Sequence, residues 1–156
     1  MKLKVLLILL IIFIVIPIYS KEKNLGIGIS ILYPTGLTLK YKFEKDLALE
    51  SVLGFSMYGR YFHIGLLKDF SLINNNFYLY TGGSILWEEK QKKEKFFKGV
   101  FVKRKGLYGG ARMPFGFLYY DSQKNFEIFG EVSLNLLFFN SVEATLGLAL
   151  GMRVYL

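Results

Sequence analysis

The sequence predicts an all-β fold: an eight-stranded antiparallel up-and-down transmembrane β-barrel preceded by a signal peptide. Three observations carry that expectation. The chain opens on a short apolar leader, alternates with a period of two through most of its remaining length, and builds the second face of its strands from glycine and other small residues. A length of 156 residues allows one domain. Hydrophobic residues at 53% against charged residues at 21% exclude a disordered chain. The absence of cysteine excludes a disulfide framework, a thiolate metal site and a lipid-anchor cysteine. The 15 Phe and 11 Tyr are more than an ordinary soluble enzyme has places for.

The leader comes first. Lys2 and Lys4 precede an unbroken apolar run, Val5 to Ile16, and Pro17 then ends any helix. Ile18-Tyr19-Ser20 supplies a small residue ahead of the charged Lys21-Glu22-Lys23, which is the plan of a secretory signal peptide cleaved after Ser20. A retained membrane helix needs roughly 20 apolar residues, and this run falls short. Residues 1–20 are thus expected to be the signal peptide and residues 21–156 the barrel domain.

The strands come next. Leu25, Ile27, Ile29, Ile31 and Tyr33 alternate with Gly26, Gly28 and Ser30. After a Pro34-Thr35-Gly36 turn, Leu37, Leu39, Tyr41 and Phe43 alternate with Thr38, Lys40 and Lys42. Four strands with less definite edges run near Leu47–Met57, Arg60–Phe70, Phe77–Trp87 and Leu107–Tyr120. Glu44–Asp46, Ser71–Asn76 and Asp121–Asn125 have turn chemistry. In the seventh strand Phe126, Ile128, Val132, Leu134, Leu136 and Phe138 face one way, and Glu127, Glu131, Ser133 and Asn135 the other. The last strand is the clearest: Ala144, Leu146, Leu148, Leu150, Met152, Val154 and Leu156 are all apolar, against Glu143, Thr145, Gly147, Ala149, Gly151, Arg153 and Tyr155. Eight strands of about 10 residues each fit the mature chain. Pro114 cannot donate to a ladder, so a bulge or an edge is expected there.

Alternation alone does not say which face is inside; the second face does. It carries Gly26, Gly28, Ser30, Ala48, Gly54, Gly65, Gly82, Ser84, Gly110, Gly116, Gly147 and Gly151. Small residues suit the narrow interior of an eight-stranded barrel, and the continuous apolar face suits lipid. Hydrocarbon offers nothing to unpaired backbone groups, so the sheet must close on itself. Tyr33, Phe43, Phe55, Phe70, Phe77, Trp87, Tyr119, Tyr120, Phe138 and Tyr155 fall near strand ends, where two aromatic girdles are expected.

On the stretches Gly26–Tyr41 (GIGISILYPTGLTLKY), Gly109–Gly116 (GGARMPFG), Phe126–Glu131 (FEIFGE) and Gly147–Leu156 (GLALGMRVYL), the mature chain resembles the small eight-stranded outer-membrane barrels of Gram-negative bacteria, of OmpA and OmpX size. It is similar in particular to uncharacterised barrels that open with a glycine-rich strand and a Pro-Thr-Gly turn. The resemblance implies an outer-membrane location, surrounding outer-membrane lipid and assembly by the barrel-insertion machinery. The final strand, with Gly151, Val154 and Leu156, resembles the signal that machinery reads, although such signals usually end in Phe.

Charge is concentrated in two places. Glu88–Lys105 carries Lys90, Lys92, Lys93, Lys95, Lys98, Lys103, Arg104 and Lys105 with only three Glu, within a chain of net charge +8. It reads as a basic outer loop between the fifth and sixth strands, drawn to anionic headgroups, with an acidic surface partner as the sharper alternative. An exported chain without a recognisable binding module is not expected to bind nucleic acid. The second set, Glu50, Arg112, Glu127, Glu131 and Arg153, lies on the small face and is expected to form ion pairs in the lumen, plugging it rather than lining a pore.

No catalytic, cofactor-binding or metal-binding residue is expected. The sole histidine, His63, stands in a strand, no G-x-S-x-G elbow is present, and Ser56 and Ser84 fall at lumen positions. One histidine without cysteine leaves no metal-ligand pattern, and the glycines alternate within strands instead of opening a helix. The sequence therefore reads as a non-enzymatic barrel in a structural or surface-interaction role. A narrow channel or lipid-modifying enzyme in the same fold is one alternative, and a soluble periplasmic ligand-carrying barrel is the other.

Overall fold

In a computed structural model, eight strands alternate up and down and close into one antiparallel barrel. The structure describes residues 24–56, 59–73, 76–93, 103–121, 123, 125–140 and 142–156, with the backbone alone at 73, 90–93 and 103–105. The leader, residues 1–20, lies outside the described residues. The strands are β1 (Leu25–Leu32), β2 (Thr35–Lys42), β3 (Leu47–Phe55), β4 (Arg60–Ile73), β5 (Phe77–Lys93), β6 (Lys103–Asp121), β7 (Phe126–Leu137) and β8 (Glu143–Tyr155). β1 pairs with both β2 and β8, so no edge is left open.

The register sets the size of the interior. From Gly28, successive cross-strand partners are Thr38, Val52, His63, Leu86, Gly110, Leu137 and Glu143. Glu143 lies ten residues before Arg153, which is Gly28's own partner on β8. A stagger of that size over eight strands tilts them by roughly 40° and leaves a lumen that side chains can fill. One rim holds the barrel's termini (the start of β1 and the end of β8) with the facing ends of β2 and β3, β4 and β5, and β6 and β7; the far rim holds the facing ends of β1 and β2, β3 and β4, β5 and β6, and β7 and β8. Asn125, between β6 and β7, and Asn140, between β7 and β8, take positive φ values of 51° and 68°, a conformation asparagine tolerates better than most residues.

Burial follows the two-residue period. Ile27, Ile29 and Ile31, then Leu146, Leu148, Leu150, Met152 and Val154, are all exposed on the outside, while Thr38, Lys40, Glu50, Glu127 and Arg153 are buried inside. Large inward rings fit because glycine stands opposite them. Tyr80 pairs with Gly116 and Phe129 with Gly151, and a Cβ on either glycine would come within 2.4 Å and 2.3 Å of the facing ring. Two apolar clusters result: Leu67, Tyr80, Leu118 and Phe129 toward the rim with the termini, and Tyr61, Leu86, Tyr108 and Leu137 toward the far rim.

Several boundaries differ from the sequence reading. Thr35 and Gly36 belong to β2, so the first connection is only Tyr33-Pro34. β4 continues to Ile73, and β5 and β6 run on to pair Lys90 with Gly106 and Lys93 with Lys103. Much of the expected basic loop is therefore two-stranded ladder, because lysines on solvated strands do not stop backbone pairing. Pro114 causes no bulge. Its β5 neighbours, Gly82 and Gly83, are left out of an otherwise unshifted β5–β6 register, so the missing N–H falls where the ladder is already interrupted, while Pro114 still pairs with Ser133 on β7. Tyr33, Tyr120 and Tyr155 do not join an outer girdle. They turn inward, because the polar tip that suits a headgroup also suits a lumen carboxylate.

Candidate functional site: the ion-paired lumen

The chemistry-bearing side chains converge inside the barrel, placed there by strand parity. At the rim with the termini, Lys42 Nζ sits 4.0 Å from the Tyr120 ring centroid and 4.6 Å from that of Tyr155. Just above, Lys40 Nζ is 3.0 Å from Asp69 and 3.4 Å from Glu127, and the Tyr155 hydroxyl donates to Glu127 at 2.8 Å. Lys40 and Glu127 are both fully buried. Charges removed from water in this way require partners.

Arg153 is the hub. Its guanidinium pairs with Glu127, its register partner on β7, and with Glu50 on β3. It also donates to Thr38 Oγ1 at 2.8 and 3.0 Å and lies 3.9 Å from the Phe129 ring centroid. Farther along, Arg112 pairs with Glu131, whose other oxygen accepts the Tyr80 hydroxyl at 2.9 Å. Toward the far rim, the Tyr33 hydroxyl donates to Glu88 at 2.9 Å. The interior void among Ser30, Glu50, His63, Arg112, Glu131 and their neighbours measures about 10 Å³. That is about the space of a single water.

All five charges singled out on the small face lie in this network, in three pairings: Arg112 with Glu131, Arg153 with Glu127, and Arg153 with Glu50. Sequence reasoning missed Lys40, Asp69 and Glu88 as members. The alternation after Gly36 already put Lys40 on the polar side; Asp69 needed the same parity count carried along β4. Glu88 falls within the basic segment by position, yet it is 1% exposed and points into the lumen, while the next residue, Glu89, faces outward and pairs with Arg60 at 2.8 Å. Of the basic segment, Lys95 and Lys98 lie outside the described residues, and Lys90, Lys92, Lys93, Lys103, Arg104 and Lys105 are strand residues of β5 and β6.

His63 is buried in the same interior. Its Nε2 is 3.4 Å from Glu50 Oε2, and the Tyr61 ring meets it edge-on at 5.6 Å. The inward Ser84 hydroxyl donates to the backbone carbonyl of Arg112 at 3.4 Å. A carboxylate, a ring and a wall of ion pairs surround the imidazole, with space for one water beside it.

Solved structures include barrels of similar size and strand number. The N-terminal β-barrel domain of Pseudomonas aeruginosa OprF superposes with a TM-score of 0.58 at 12% identity, covering 83% of this chain and 95% of that one. The fold is that of a small outer-membrane barrel. Yersinia pestis Ail, determined in a phospholipid bilayer nanodisc, matches with a TM-score of 0.40 at 18% identity over 85% of this chain and 99% of that one. No protein-family model matches the sequence, and no curated protein matches it.

Proposed function

We propose that the chain is a non-enzymatic outer-membrane β-barrel with a sealed, ion-paired lumen, serving a structural or surface-interaction role. One observation carries the reading: the barrel is oily outside and charged inside, with its buried ions neutralising one another. An apolar exterior belongs in hydrocarbon, and a lumen closed by side chains leaves no column of water to conduct ions. The rim with the termini faces the periplasm, and the tall β5–β6 side, with its lysine-rich strand ends, reaches the outer surface. There it meets anionic headgroups or an acidic surface partner. Outer-membrane lipid surrounds the barrel, and the barrel-insertion machinery assembles it through β8.

The test joins fractionation with planar-bilayer recording. Recovery in the outer membrane only with detergent, together with no steady current from the purified protein, is the expected result. Soluble recovery from the periplasm would replace this reading with a ligand carrier, and sustained single-channel steps would replace it with a channel.

A further inference from the structure

The outward face of the barrel is almost free of charge. Among the described residues, four charged side chains stand at outward positions of the strands: Arg60, Lys68, Glu89 and, as the last residue of β6, Asp121. Arg60 and Glu89 neutralise each other. Among the described residues Lys68 has no acidic partner, and its ammonium lies 5.6 Å from the Phe70 ring centroid. It is also close to a rim, since it pairs with Leu47, the first residue of β3, and the next residue, Asp69, donates its backbone N–H to the Asp46 carbonyl in the 43–46 turn. A lone cation on an oily surface, one step from its edge, sits where headgroup phosphates lie.

A groove opens beside it. Thr81, the register partner of Lys68 on β5, is a small residue among large ones, and its hydroxyl is turned into the wall, donating to the Pro114 carbonyl at 2.9 Å. Phe70, Leu79, Phe115 and Phe117 stand around it and enclose about 490 Å³. The groove is apolar, faces the lipid side, and has a positive charge at its border.

We propose that Lys68 and the Thr81 groove hold one glycerophospholipid of the periplasmic leaflet, the phosphate against the lysine and an acyl chain against Phe115 and Phe117. The site rests on the outer-membrane reading, which places this rim at that leaflet. Charge complementarity chooses the occupant: a phosphate supplies the anion that Lys68 lacks, and a hydrocarbon chain matches the groove.

Native mass spectrometry of the folded full barrel in detergent, titrated with dioleoyl phosphatidylglycerol or with phosphate-free dioleoylglycerol, tests this. Wild type should retain phosphatidylglycerol in preference to dioleoylglycerol. Lys68→Gln should weaken that retention about five-fold, the worth of one lysine at an anionic surface. Lys68→Arg should keep it, Thr81→Leu should lower it by filling the groove, and Arg60→Gln should leave it unchanged. Heat-modifiable gel migration establishes that each variant is folded. Equal retention by folded Lys68→Gln and wild type, or equal retention of the two lipids, overturns the site while leaving the membrane barrel intact. A wild-type chain recovered as a soluble periplasmic protein overturns the outer-membrane reading itself.

Discussion

Arg153 and Glu127 stand opposite each other in the β7–β8 ladder, and the guanidinium that pairs with Glu127 also reaches Glu50 on the other side of the lumen. One side chain thus ties β8 to β7 and β3, with Thr38 adding β2. Removing it leaves buried Glu50 with His63 and buried Glu127 with Lys40 and the Tyr155 hydroxyl, and takes the guanidinium from both. Arg153→Met is expected to destabilise the folded barrel by about 3–5 kcal/mol, the usual cost of breaking a buried ion pair. Urea titration in detergent micelles, read by heat-modifiable migration, checks this; an unchanged midpoint would show that the network contributes little to stability.

The glycine–ring pairs give a second expectation with an internal control. A Cβ on Gly116 would meet the Tyr80 ring at 2.4 Å and the Gly130 carbonyl at 2.6 Å, whereas a Cβ on Gly83, on the outer face, would meet nothing within 4 Å. Gly116→Ala should therefore cost about 1–3 kcal/mol through overpacking. Gly83→Ala should be neutral or slightly stabilising, since it restricts the unfolded chain at no steric cost. The same urea titration ranks the two, and equal midpoints would contradict the packing described for the lumen.

His63 supplies a third. Its imidazole faces Glu50 and a void of about 10 Å³, too small for a lipid substrate. Lipid extracts incubated with wild type and with His63→Ala should give the same profile by mass spectrometry. A product made by wild type and lost in the variant would make the barrel an enzyme.

Much of this arrangement was legible because parity is rigid in a strand. Once Leu146, Leu148 and Leu150 face outward, Gly147, Gly151 and Arg153 must face inward, and the same count places Glu50, Arg112, Glu127 and Glu131. Who meets whom was less legible. The contact between Arg153 and Glu50 depends on the stagger of the whole barrel, which no single strand encodes. Tyrosine was ambiguous for a chemical reason: at a strand end its ring and hydroxyl satisfy a membrane interface and a lumen carboxylate equally well, and parity alone pointed inward, through the odd numbering of Tyr155 within β8 and the even numbering that Tyr120 shares with Gly110, Arg112 and Gly116. Strand ends were the weakest part. A run such as Lys90 to Lys93 reads as loop by charge, yet lysine side chains in water leave the backbone free to pair.

The inside-out arrangement can be tested without a mutation, because the chain has a single tryptophan. Trp87 lies on the outer face, stacked on Phe62 with ring centroids 5.5 Å apart, near the far rim. Its fluorescence in proteoliposomes should be quenched by lipids brominated on their acyl chains, most strongly near the headgroups, and hardly by aqueous iodide. Strong iodide quenching with no response to brominated lipid would contradict an exterior that faces hydrocarbon.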